Sequence, residues 1–83
     1  MISVIVVFPK LEEARSIKNL LVRNGIDVIA ACTTGAQVIN LVDDLDYGVI
    51  VSGYKFVDMM YSELVDCLPD TFNMLLVASQ RYY

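Results

Sequence analysis

The chain has 83 residues, enough for one small domain, and 57% of them are hydrophobic, with a mean hydropathy of +0.57. Its formal net charge is −4 and it contains no histidine, so it lacks the basic surface that nucleic-acid binding requires. No apolar run approaches the roughly 18 residues of a membrane span. No basic segment precedes the apolar start, so the sequence predicts a cytoplasmic domain without a secretory signal.

The first half of the chain predicts two buried strands with one helix between them. Residues 3–8 are a β-branched apolar run that Pro9 ends, as expected for a strand covered on both faces. Apolar residues then recur at helical spacing over residues 11–24, and Gly25 is suited to the left-handed turn that ends a helix. Val28–Cys32 predicts the second short strand.

The middle of the chain predicts a second helix and a third strand. Thr34 and Gln37 have the spacing of a capping box, so a helix is expected to open there and to end near residues 42–44. Acidic residues follow at 43, 44 and 46, where they oppose the helix dipole and favour termination. The third strand is predicted from Tyr47 to residue 51 or 52.

The last part predicts a third helix and a fourth strand. The helix is expected over residues 58–67, with Asp58 as its N-cap and with Met60, Leu64 and Cys67 facing inward. Pro69 follows its end. Residues 73–78 predict the fourth strand.

Both cysteines, at 32 and 67, lack metal-site spacing and are expected to be buried, reduced thiols.

Strands that alternate with helices through short connections predict an α/β fold with a parallel sheet and right-handed crossovers. Ligands of such sheets bind at the carboxyl ends of the strands. In this chain those ends are Phe8-Pro9, Cys32-Thr33, Ser52-Gly53 and Ala78-Ser79. None of these pairs includes a carboxylate, a histidine or a glycine-rich phosphate loop. The hydroxyl of Ser52 is expected to bond a backbone group.

Residues 49–60, an apolar strand that runs into a polar loop and a helix, resemble the third strand and following loop of response-regulator receiver domains. The likeness covers the whole chain as the first four strands and three helices of that family. It implies a flavodoxin-like parallel sheet. It also implies that the chain is a single partial domain, truncated before the fifth strand and last helix.

The resemblance implies a degenerate phosphorylation site. The family's positions correspond here to Phe8 and Pro9 for the acidic pair, Gly53 or Ser52 for the phosphoacceptor aspartate, and Ala78 or Ser79 for the switch residue. Phosphoryl transfer to a receiver needs a carboxylate nucleophile and a cation held by neighbouring carboxylates. The resemblance therefore implies that the domain is not an enzyme and uses no metal or other cofactor.

Segments 8–10, 33–36 and 53–64 are similar to degenerate receivers at the N-terminus of bacterial antiterminator proteins with an ANTAR output domain. This likeness implies a regulatory or dimerisation module that controls transcription antitermination. RNA binding would belong to a C-terminal domain outside these residues. The alternative hypothesis is a small-molecule sensor that uses the vacated acidic pocket, lined by Phe8, Pro9, Gly53 and Ala78.

The expected partner is a second copy of the chain or another protein. Residues 74–77 are predicted to form an exposed parallel edge, and such edges favour pairing between chains. Methionine and tyrosine adapt well to partner surfaces. The candidate interface residues are Met59, Tyr61, Tyr82 and Tyr83.

Overall fold

A computed structural model describes residues 2–77. The elements are β1 (Ser3–Val7), α1 (Leu11–Arg23), β2 (Val28–Cys32), α2 (Gly35–Val42), β3 (Gly48–Ser52), α3 (Tyr61–Asp66) and β4 (Phe72–Leu76). The four strands form one parallel sheet in the order β2-β1-β3-β4. The prediction of an α/β, flavodoxin-like parallel sheet is confirmed.

The strand order places the helices on opposite faces of the sheet. The chain moves from β1 to β2 in one direction, then crosses back over β1 to reach β3 and continues to β4. Because each crossover is right-handed, the reversal transfers the later helices to the other face. As a result, α1 covers one face and α2 and α3 cover the other.

Alternation along the strands divides the core between these two faces. The face under α2 and α3 buries Ile5, Ile50 and Leu64 completely, together with Phe56 and Phe72. The face under α1 holds a smaller cluster of Val4, Val6, Phe8, Ala14 and Val51. The face under α2 and α3, which we call the covered face, therefore contains most of the large buried side chains.

The helix ends follow the predicted chemistry in the first half of the chain. Gly25 has φ 82° just after α1, a left-handed conformation that glycine adopts without strain. The capping box of α2 is confirmed. The backbone amide of Gln37 donates to Thr34 Oγ1 (3.2 Å), and Gln37 Oε1 accepts from the backbone amide of Thr34 (3.2 Å).

The third helix differs from the prediction. It begins at Tyr61 rather than near residue 58, so Tyr61, Leu64 and Leu68 contact the core, at spacings of three and four residues. Met60 and Cys67, which were predicted to face inward, are exposed. The late start comes from a tight turn in which the Phe56 amide donates to the Met59 carbonyl (2.8 Å).

The two cysteines lie in different environments. Cys32 is buried at the end of β2, and this burial raises the pKa of its thiol above the ordinary value of 9.0. Cys67 is exposed, so the expectation of two buried thiols holds only for Cys32. None of the helices in residues 2–77 has the length and apolar content needed to cross a bilayer.

Candidate functional site

The carboxyl ends of β1, β3 and β4 meet around a small pocket, which we call the rim pocket. It has a volume of about 240 Å³ and is lined by Phe8, Pro9, Glu13, Gly53, Tyr54, Lys55 and Val77. It lies where the strand order reverses between β1 and β3, the usual ligand position in such sheets. Ala78 and Ser79, predicted as the switch position, lie outside the described residues.

The structure brings together three of the predicted site residues, Phe8, Pro9 and Gly53. The register pairs Val7 with Ser52, so the residue after each of them is adjacent at the rim. A Cβ added to Gly53 would lie 3.0 Å from the Phe8 ring and 3.7 Å from Pro9. The glycine therefore lets the Phe8 ring pack closely against the β3 backbone.

Two charged residues at the rim pocket, Glu13 and Lys55, were missed by the sequence analysis. The predicted site residues lie directly at the ends of strands, whereas Glu13 lies in the first turn of α1 and Lys55 lies two residues beyond Gly53. A sequence signal for Glu13 did exist. A helix that begins at Leu11, just after β1, places its first turn over the end of that strand.

Ser52, the alternative phosphoacceptor position, is inaccessible. It is completely buried at the end of β3, and within residues 2–77 its Oγ has no hydrogen-bond partner. The prediction that this hydroxyl bonds a backbone group is wrong. Because side chains alternate along a strand, Ser52 lies on the same face as Ile50. That face packs under α2 and α3, where the core is apolar.

Asp58 connects the loop after β3 to the start of α2. Its two carboxylate oxygens accept hydrogen bonds from the backbone amides of Gly35 (2.8 Å) and Ala36 (3.1 Å). The bond from Gly35 is the main reason why the pKa of Asp58 lies below its ordinary 3.8; burial opposes this effect and the bond from Ala36 adds to it. Asp58 was predicted to cap α3, but it caps α2 instead.

Further contacts hold the same loop in place. The Val57 amide donates to the Thr33 carbonyl (3.1 Å), and the Tyr61 amide donates to the Tyr54 carbonyl (2.9 Å). The rings of Tyr54 and Tyr61 meet edge to face with their centroids 5.7 Å apart. The loop is therefore pinned both to the start of α2 and to itself.

The predicted interface residues fall in two groups. Met59 and Tyr61 are partly buried and pack against the core under α2 and α3, and a Cβ on Gly35 would lie closer than 3.0 Å to the Met59 side chain. Tyr54, Val57 and Met60 are the large hydrophobic side chains of this loop that are exposed. Tyr82 and Tyr83 lie outside the described residues.

A larger apolar depression lies on the face of the sheet that α1 covers, beside the C-terminal end of that helix. We call it the α1-side groove. Its volume is about 550 Å³, and its lining residues are Ile2, Val4, Leu21, Gly25, Ile26, Asp27, Val49, Val51 and Leu75. Asp27 is the one charged residue among them. Leu75 on β4 is 57% exposed, which is unusual for a strand of a parallel sheet.

Over residues 2–77, no group of three or more His, Cys, Asp or Glu side chains is arranged to hold a metal ion.

Comparison of the chain with protein-family models, curated proteins and solved structures finds no match.

Proposed function

We propose that the domain is a non-catalytic pseudo-receiver that acts by association with a second copy of itself. In this proposal it is the regulatory and dimerisation module of a bacterial response regulator. The likeness of residues 53–64 to ANTAR-type antiterminators supports transcription antitermination as the regulated process. RNA binding would then belong to a domain outside these residues.

The lack of a carboxylate cluster at the rim pocket supports the non-catalytic part. Glu13 is the one acidic residue among those that line it, and the strand ends contribute Phe8, Pro9 and Gly53. A receiver needs one carboxylate as nucleophile and others to hold its cation. Asp58, the nearest acidic residue in the β3–α3 loop, has both oxygens bonded to the α2 amides.

The β4 edge is the observation that carries the dimerisation part. β4 lies at the border of the sheet within residues 2–77, its sequence FNMLL has no charge and no proline, and its register with β3 runs without interruption. The other border strand, β2, is irregular, because the register shift after Val4 leaves Ile29 as an extra residue. Charges, prolines and bulges protect edge strands from pairing, and β4 has none of them.

A second copy is the partner that this edge suits. β4 can pair antiparallel with β4 of another copy about a two-fold axis, so that one sequence satisfies both sets of outer backbone groups. If the axis passes through Met74, the two Leu75 side chains lie on the same face as diagonal neighbours within reach of each other. Pairing would thus remove the exposed flank of Leu75 from water in both copies.

Light scattering over a range of concentrations tests the dimer. We expect a mass of twice 9.3 kDa at high concentration. Leu75→Lys should shift the protein to the monomer, because two like charges then meet across the axis. Ile29→Lys, a matched control on the other border strand and 47% exposed, should remain dimeric. A wild-type monomer at every concentration contradicts the dimer, and a dimeric Leu75→Lys variant contradicts the β4 surface.

Intact-mass measurement tests the non-catalytic part. After incubation with acetyl phosphate and magnesium we expect no phosphoryl adduct. An adduct on any residue from 52 to 58 would show that the rim retains receiver chemistry.

A further inference from the structure

The rim pocket has a preformed backbone frame. The Gly53 amide donates to the Val7 carbonyl (3.1 Å), and the Val77 amide donates to the Ser52 carbonyl (2.7 Å). The Tyr54 carbonyl accepts from Tyr61 across the loop (2.9 Å). The segments that line the pocket are therefore hydrogen-bonded before any ligand arrives, and binding would cost little ordering of the backbone.

The lining combines an apolar floor with two opposite charges. Phe8, Pro9 and Val77 supply hydrocarbon, while Glu13 and Lys55, which carry opposite charges, line the same pocket. Within residues 2–77, no ion pair with a separation of 4.0 Å or less joins these two side chains. Each charge is thus available to a ligand that carries the complementary group.

The volume limits the ligand to a small metabolite. At about 30 Å³ for each water molecule in the liquid, 240 Å³ corresponds to on the order of eight waters. This size is below the roughly 300 Å³ at which pockets for drug-sized ligands begin. A free amino acid is a molecule of this size that carries both a cation and an anion.

We propose that the rim pocket binds a free α-amino acid with an apolar side chain. The ligand ammonium would pair with the Glu13 carboxylate and the ligand carboxylate with the Lys55 ammonium. The side chain would lie on Phe8, Pro9 and Val77. This site uses a different edge of the sheet from the proposed dimer contact at Leu75 and does not depend on that contact.

Calorimetric titration with L-valine, L-leucine and L-phenylalanine tests the ligand class. We expect saturable binding of at least one of them. For leucine, 4-methylpentanoate lacks the ammonium and isopentylamine lacks the carboxylate, so each analogue should bind at least tenfold more weakly than the amino acid. Absence of saturable binding by all three amino acids overturns the proposal, as does equal binding of an amino acid and its two analogues.

Matched variants test the residues. Glu13→Gln should weaken amino-acid binding at least fivefold and remove the preference over 4-methylpentanoate, which has no ammonium to pair. Lys55→Gln should remove the preference over isopentylamine in the same way. Glu12→Gln and Lys18→Gln change the same charges on α1 outside the pocket and should leave binding unchanged. If all four variants bind equally, the pocket assignment is wrong.

Discussion

The two faces of the sheet differ in how completely they are covered. Under α2 and α3, the large side chains Ile5, Ile50 and Leu64 have no contact with water. On the α1 side, one helix covers β1 and β2, whereas Leu75 is more than half exposed beside the α1-side groove. A parallel sheet is normally buried on both faces. In this small domain the face under α2 and α3 therefore holds most of the buried core, whereas the α1 face keeps exposed apolar surface at Leu75.

The first prediction compares two leucines, one on each face. Leu64→Ala should lower the free energy of unfolding by about 2–5 kcal/mol, because it removes a fully buried side chain and leaves a cavity. Leu75→Ala should cost less than about 1 kcal/mol, since this side chain is 57% exposed. Urea denaturation in dilute solution, where association is suppressed, measures both. Similar losses would show that the two faces are equally covered.

The second prediction concerns the hydrogen bonds that hold the β3–α3 loop on the covered face. Asp58→Ala should cost about 1 kcal/mol, because the amides of Gly35 and Ala36 lose their acceptor at the start of α2. Asp58→Asn retains an oxygen acceptor and should cost less. Denaturation at neutral pH measures both, with Asp66→Ala as a control on an exposed residue of α3. A loss no larger than the control would show that this cap contributes nothing.

The same carboxylate gives a pH dependence with a defined sign. Its pKa is lower in the folded chain than the ordinary 3.8, so the unfolded chain binds the proton more readily. The contribution of Asp58 is therefore fully present above the unfolded pKa, and it is lost as the pH falls through the folded pKa. Unfolding between neutral pH and about pH 3 should show a steeper loss of stability for wild type than for Asp58→Asn. Parallel pH curves would contradict this assignment.

The last prediction has the smallest effect, and its sign is opposite to that of the others. Ser52→Ala should leave stability unchanged or raise it by up to about 1 kcal/mol, because the buried Oγ has no partner among residues 2–77 to lose. Thermal or urea unfolding measures the change, with Ser62→Ala as an exposed serine control. A clear destabilisation would mean that the hydroxyl is satisfied in solution and that the covered face lacks this defect.

Sequence patterns located most elements, and where they failed the reason is a tertiary contact. β2 was predicted with its observed limits, and the Thr34 capping box correctly opened α2. α3 begins at Tyr61 with Met60 at its N-cap position, so Asp58, which has the residue type of an N-cap, was assigned to the wrong helix. Asp58 caps α2 because the loop folds back across 23 residues of sequence to reach Gly35, a contact that local propensity cannot encode.

The candidate site was predictable only in part, because some of its residues are brought to the rim by tertiary contacts. Phe8, Pro9 and Gly53 were predicted at the carboxyl ends of strands, and the register of β1 with β3 brings them together. Glu13 and Lys55 escaped because they reach the rim from a helix turn and a loop, at spacings set by packing. The burial of the Ser52 hydroxyl without a partner also depends on which face the residue meets.

By itself, the sequence determined the alternation of strands and helices, since apolar periodicity and turn residues act over a few neighbouring positions. The tertiary structure alone decided the strand order, and with it the reversal that places α1 opposite α2 and α3. That reversal places the rim pocket between β1 and β3, and within residues 2–77 the same order sets β4 at a border of the sheet. Both features depend on contacts between residues far apart in the chain, which a local pattern does not specify.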